Sequence, residues 1–202
     1  MPTSRMKHLV SVSGGKDSTA TLAMALEQHG HDAVMGVFAD TGNEHEAVYE
    51  YVAYLEQATG VHIHSIKQDF SAWWARKREY IRAKWPLKGV PDDVVSRALA
   101  VFDTGPTGNP YLDLCIIKGR FPSRRAQFCT QYLKTEPLVE YALELIEQHG
   151  AVWSWQGIRL DESHSRRTRL QGSGACVKSF EVNGGGALHL PSNSAVDGPG
   201  CV

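Results

Sequence analysis

Apolar and polar positions along the first third of the chain alternate between two periods. His8-Leu9-Val10-Ser11-Val12 is a short β-prone run. Residues from about 17 to 28, rich in Ala, Leu and Met, read as a helix that stops at Gly30. Residues 33–39 (AVMGVFA) form a second apolar run, and Val48, Tyr51, Val52 and Leu55 fall at i, i+3, i+4 and i+7, one helical face. Residues 61–66 (VHIHSI) alternate at period two and give a third strand. A β-α-β-α-β order predicts an α/β fold, a parallel sheet with helices on both faces.

The middle departs from this rhythm. Residues 71–88 carry Trp73, Trp74 and Trp85 among Arg76, Lys77, Arg78, Arg82, Lys84 and Lys88. Such a stretch suits an amphipathic helix with a solvated basic face, or a surface that stacks on and neutralises a nucleic-acid strand. Val94, Val95, Ala98, Leu99 and Phe102 fit a helix starting near Pro91 or Asp92, and residues 104–110 (TGPTGNP) are loop by composition. Residues 70–125 therefore read as an insertion or lid on a domain spanning 1–170. Beyond it Thr135 is the expected N-cap of a helix with Pro137 in its first turn. Leu138, Tyr141, Ala142, Leu145 and Ile146 form its buried face, and Gly150 its end. Residues 151–158 (AVWSWQGI) give a fourth strand. Residues 172–202 hold seven of the 19 glycines and only Lys178, Glu181 and Asp197 as charged side chains, so 171–202 reads as irregular.

Composition narrows the function classes. A chain of 202 residues with 42% hydrophobic and 21% charged positions builds a core and is not disordered by composition. Lys plus Arg is 21 and Asp plus Glu is 22, so net charge does not drive polyanion binding, and any basic patch is local. No apolar run approaches the roughly 20 residues of a membrane helix, and residues 1–8 lack the apolar stretch of a signal peptide. Cys115, Cys129, Cys176 and Cys201 are scattered without a CxxC pair, against a disulfide scaffold or a four-cysteine zinc site. A cytoplasmic protein with reduced thiols and no membrane partner is the expectation.

Open parallel sheets bind ligands at the carboxyl ends of their strands, and three features fall there. After the first strand come Ser13, Gly14, Gly15, Lys16, Asp17 and Ser18. Glycines let the backbone approach an anion, the next helix aims amides and its positive dipole end at it, and Lys16 adds a mobile charge. The spacing is not that of a Walker A loop, and a Gly-Gly turn can also be a plain tight connection. After the second strand come Asp40, Thr41, Gly42 and Asn43, which suit ribose or base recognition or, equally, the cap of the next helix. After the fourth come Gly157, Arg159, Glu162, Ser163 and Arg166, where two arginines can clamp a phosphate or sulfate, or form a solvated charged turn. His62 and His64 share one face of the third strand without a third metal ligand in view, so no metal site is assigned.

The motifs SGGKDS, FADTGNEHEAVYEYV, FCTQYLKTEPL and GIRLDESHSRR, in order over about residues 7–169, resemble the phosphoadenosine phosphosulfate (PAPS) reductase family. That family lies within the wider PP-loop group, with the Rossmann-like adenine nucleotide α-hydrolase fold. The resemblance, closest to phage and mobile-element members, implies an adenine nucleotide (PAPS or ATP) with its phosphates on residues 13–18. It also implies a pocket lined by Asp40, Thr41 and Gly42, with the terminal anion held by Arg159, Glu162, Ser163 and Arg166. Arg124, Arg125 and Cys129 would stand near the reacting end, Cys129 as a thiolate nucleophile helped by nearby cations or as a small buried residue.

Two departures from the family shape the expected function. The Glu-Cys-Gly-Leu-His segment of thioredoxin-linked PAPS reductases is absent, and so are the cysteine pairs of the iron–sulfur enzymes. No iron–sulfur cluster is expected. The first reading is chemistry at the phosphate or sulfate end of PAPS or ATP, with a thiol reductant or sulfur donor. The second is an ATP pyrophosphatase that adenylates tRNA or DNA for sulfur transfer, with Mg²⁺ bridging the phosphates. The third is a non-catalytic nucleotide-binding partner. The tail adds one more expectation. Read one nucleotide later, the degenerate codons of residues 191–202 permit Arg-Pro-Ile-Leu-Arg-Trp-Thr-(Ala or Asp)-(Arg or Gln)-Asp-Val, which resembles a segment that family members carry there. A chain out of frame from near 184–190 would lack the last strand, and its bare sheet edge would favour homo-oligomers.

Overall fold

Strand β1, Lys7–Ser11, buries both faces, as a central parallel strand must. Leu9 packs to one side and Val10 to the other, each at most 1% exposed. The computed structural model describes residues 6–157 in full and the backbone of two further strands, at 175–182 and 186–193. After β1 come α1 (Lys16–His29), β2 (Val34–Asp40), α2 (Glu46–Thr59) and β3 (Ile63–Lys67). Farther along lie α7 (Glu136–His149), β4 (Ala151–Gly157), β5 (Ala175–Val182) and β6 (Gly186–Asn193). The sheet order is β3-β2-β1-β4-β6-β5. β1 pairs in parallel with β2 and β4, and β4 with β6, whereas β5 and β6 are antiparallel. The expected α/β architecture is present, with boundaries within one or two residues for the first two strands.

Helices cover both faces. Val10, Val12, Phe38 and Trp155 pack with Leu22 of α1 and Leu55 of α2. Leu9, Val37 and Val152 pack with Ala142, Leu145 and Ile146 of α7. At the amino end of β1, the His8 and His29 rings stack at 3.6 Å, and the Trp155 indole donates to His8 Nδ1 at 3.0 Å. Burial, and then the neighbouring His29, push the His8 pKa down to about 4.

The chain divides into two compact units. The sheet unit takes residues 1–39, 44–66 and 138–202, and the second takes 40–43 and 67–137. The second unit is thus wider than the 70–125 insertion expected, and it is helical: α3 (Ser71–Lys84), a 3₁₀ turn (Pro86–Lys88), α4 (Asp92–Asp103) and α5 (Pro110–Lys118). Its core holds Phe70, Trp74, Ile81, Phe102, Leu114 and Leu133. The Trp74 indole N–H finds its partner in the Phe102 carbonyl at 2.9 Å.

Two expectations are corrected. Thr135 is not an N-cap. An α-helical turn α6 (Phe128–Thr130) and a π-helical turn (Gln131–Thr135) run directly into α7, so there is no free helix start to cap. The wide turn lets Leu133 face the helical core and Leu138 face the sheet. The irregular run from 171 is also not what is seen over β5 and β6, which pair in register from Ala175↔Asn193 to Val182↔Gly186. The glycine content of the tail hid this pair. Among the described residues, no helix is long and apolar enough to cross a membrane.

Candidate functional site

From β1 the chain winds outward to β2 and β3, then returns to the other side of β1 for β4. Doubly wound sheets bind ligands at the carboxyl ends of the strands that flank such a reversal, here β1 and β4. The turn after β1 leaves the sheet at that end. Gly14 adopts φ +74, and a Cβ there would lie 2.8 Å from Val48 Cγ1. Gly15 is the N-cap of α1 and supplies no side chain to its first amides. Those amides have no intrahelical acceptor, so an arriving anion meets a positive helix end. Ser13, Gly15 and Lys16 face solvent. Ser18 does not: it is 5% exposed, accepts from the Ser13 N–H at 3.1 Å and donates to the Gly15 carbonyl at 2.8 Å. Its hydroxyl closes the turn on itself. Asp17 lies in the first turn of the helix, and its carbonyl accepts from Thr21 Oγ1 at 2.8 Å.

Gly157, the last residue of β4, belongs to the same place for a packing reason. A Cβ there would sit 2.9 Å from the Asp17 carbonyl carbon and oxygen and 3.0 Å from Thr21 Oγ1. Only glycine lets the first turn of α1 lie this close to β4. Arg159, Glu162, Ser163 and Arg166 lie outside the described residues.

The Asp40 segment is built by other means. Asp40 Oδ1 accepts from the Gly42 N–H at 2.8 Å, and Thr41 is 6% exposed. Asn109 caps α5 by accepting from the Leu112 N–H at 3.1 Å, and its amide donates to the Gly42 carbonyl at 2.7 Å. The Tyr111 N–H donates to the Thr41 carbonyl at 3.1 Å. Asp113, 4% exposed, accepts from the Thr107 N–H and hydroxyl, both at 2.7 Å. Sequence reasoning missed Asn109 and Asp113, reading 104–110 only as loop, although Asn-Pro is an N-cap followed by a first-turn proline.

Cys129 lies half-buried in α6, among the core of the helical unit. Its electrostatic neighbours include Cys115 and Tyr111, and burial raises the Cys115 thiol pKa. Arg124 and Arg125 are exposed. His62 Nδ1 contacts Glu56 at 2.5 Å and His64 stacks on Tyr141 at 4.7 Å. Among the described residues, no group of three or more His, Cys, Asp or Glu is arranged to hold a metal ion.

Strand, glycine turn and open helix start at a sheet reversal are features of α/β domains that bind phosphate. Residues 7–88 match the family model of the phosphoadenosine phosphosulfate reductase domain. It is 41% identical over 169 residues to an uncharacterized 37.8 kDa protein from the gpa 5' region of Escherichia phage 186, covering 79% of this chain and 49% of the relative. It is 28% identical over 161 residues to an uncharacterized protein of Methanocaldococcus jannaschii, covering 80% of this chain and 24% of the relative. The chain thus spans about half the length of the first relative and about a quarter of the second. The family binds adenine nucleotide substrates.

Proposed function

We propose that the chain binds PAPS or ATP by its phosphates on residues 13–18 and reacts at the phosphate or sulfate end. The uncapped start of α1 at the sheet reversal, beside exposed Lys16, carries the reading. The Gly15, Lys16 and Asp17 amides would hold phosphate oxygens, and Lys16 would follow the charge. Asp40, Thr41 and Gly42 would take the nucleoside end. Arg159, Arg166 and Ser163 would hold the far anion, with Glu162 orienting one of the arginines. With ATP, Mg²⁺ would be carried largely by the phosphates, with the Asp17 carboxylate and the Ser13 hydroxyl as adjacent oxygen donors that suit a hard ion. With PAPS, Cys129 would be the attacking thiolate, and an external dithiol would supply the two electrons.

Chromatography of products tests this. Purified protein is incubated with ATP and Mg²⁺, and separately with PAPS and a dithiol. Adenosine 3′,5′-bisphosphate with sulfite establishes the reductase, and this product is then expected to vanish in Cys129→Ser. AMP with pyrophosphate establishes the adenylating enzyme. Nucleotide binding without either product leaves a binding partner, and failure of both nucleotides to bind overturns the proposal.

A further inference from the structure

The helical unit carries a cationic aromatic stripe that nucleotide chemistry does not use. Residues 71–88 hold six cationic side chains and one acidic one, in a chain of net charge −1. Arg78 is paired with Asp103, and Arg82 with Glu79 at 3.5 Å. Arg76, Lys77 and Lys118 instead lie against rings and Lys88 donates to the Tyr80 hydroxyl, none of the four with a carboxylate partner among the described residues. The Arg76 guanidinium is 5.9 Å from the centre of Trp73. Lys118 Nζ is 5.3 Å from Trp73 and 4.2 Å from Tyr132. Lys77 Nζ lies 5.6 Å from the centre of the Tyr80 ring, and Lys88 Nζ lies 5.2 Å from it while donating to the Tyr80 hydroxyl at 2.7 Å.

Helical spacing makes this a stripe. Trp73, Arg76, Lys77 and Tyr80 stand at i, i+3, i+4 and i+7 of α3, one face about 10 Å long. Trp74 and Ile81, one position on, face the core. With Ile117 of α5, the four stripe residues line an open groove of about 290 Å³. Rings at intervals between cations that have no carboxylate partner among the described residues match a chain whose flat apolar groups alternate with negative charges.

We infer that this groove binds single-stranded nucleic acid, its bases against Trp73 and Tyr80 and its phosphates on Arg76, Lys77, Lys88 and Lys118. Bases are free to stack only when unpaired, and stacking with a basic track is how strands are held without sequence preference. An acidic peptide would satisfy the charges but leave the rings unused. The inference is independent of the reaction at residues 13–18.

Fluorescence anisotropy of the full chain with a labelled mixed-sequence single-stranded 20-mer, its duplex and polyglutamate, without added nucleotide, tests it. The single strand is expected to bind most tightly. The Arg76→Glu, Lys77→Glu pair is expected to lower the slope of log K against log salt by about 1.4, two contacts at ~0.7 each. Tyr80→Ala, outside the core cluster, is expected to weaken binding about 5- to 100-fold, while Arg97→Glu on α4 leaves it unchanged. Equal or tighter binding of duplex or polyglutamate, no binding of the single strand, or indifference to Tyr80→Ala overturns the inference. Tyr80→Ala keeps the test decisive if the double charge reversal fails to fold.

Discussion

Two glycines at the sheet's reversal do different work, and their variants separate it. Gly14→Ala meets a positive φ and the Val48 methyl at 2.8 Å. The backbone part costs about 1–2 kcal/mol, and Val48→Ala in the same chain is expected to recover only the steric part, as urea unfolding will show. Gly157→Ala meets backbone rather than a side-chain tip. It is expected to cost about 1–3 kcal/mol, with no rescue by trimming a neighbour and with weakened nucleotide binding as α1 is displaced. His8 gives a pH signature. Its Nδ1 accepts the Trp155 indole, so a proton there breaks a buried hydrogen bond. The folded chain resists that proton to about pH 4, while the unfolded chain takes it near 6.5. Stability is therefore full above pH 6.5 and falls as pH drops toward 4, by up to about 3 kcal/mol. In His8→Asn, whose Oδ1 can replace Nδ1 as acceptor, urea unfolding at pH 7, 5.5 and 4.5 is expected to show a smaller fall. Residue types at 13–18 were legible in the sequence, but the inward turn of Ser18 was not, because a serine's direction is set by the turn that encloses it.

At the scale of elements, the α5 cap and the turn after β2 share one side chain. Asn109→Ala removes both the cap and the bond to Gly42, at about 1 kcal/mol for the cap. Asn109→Ser retains a capping hydroxyl but cannot supply the amide to Gly42. Thermal melts are expected to rank the serine variant between wild type and alanine. Nucleotide affinity by calorimetry is expected to fall equally in both, if Gly42 is what Asn109 holds for function. The first three strands, α1, α2 and the apolar face of α7 could be read from periodicity, because each is amphipathic at its own period. The helix through 110–118 could not: Pro110, Asp113, Leu114, Cys115 and Ile117 are all buried, so its face is too broad to show a clean repeat. The π-helical turn leaves no mark in the periodicity of the sequence.

For the whole molecule, the proposed nucleotide binding would be linked to stability. A ligand at 100 times its Kd adds about 2.7 kcal/mol, so a rise in melting temperature with ATP or PAPS, lost in Lys16→Ala, is expected from differential scanning fluorimetry. Lys16 is exposed, and its removal is expected to leave the ligand-free melt unchanged. The coding DNA checks the tail: in the shifted frame from residue 191 it is expected to spell Arg-Pro-Ile-Leu, and codons that cannot do so end that idea. Parallel α/β class was legible from element order alone. The interleaving of two units was not, because residues 40–43 and 67–137 are associated by packing rather than by composition.

The pairing of β1 has a consequence for synthesis. Lys7 lies beside Val152, so the central strand of the finished sheet has one neighbour missing until some 145 residues later. During translation at 5–20 residues per second, β1 therefore spends on the order of ten seconds as an apolar edge. A nascent chain paused before β4 offers that edge to any passing strand. Ribosome-bound chains ending near 150 are thus where chaperone capture or co-aggregation would concentrate, and arrival of β4 would end that exposure.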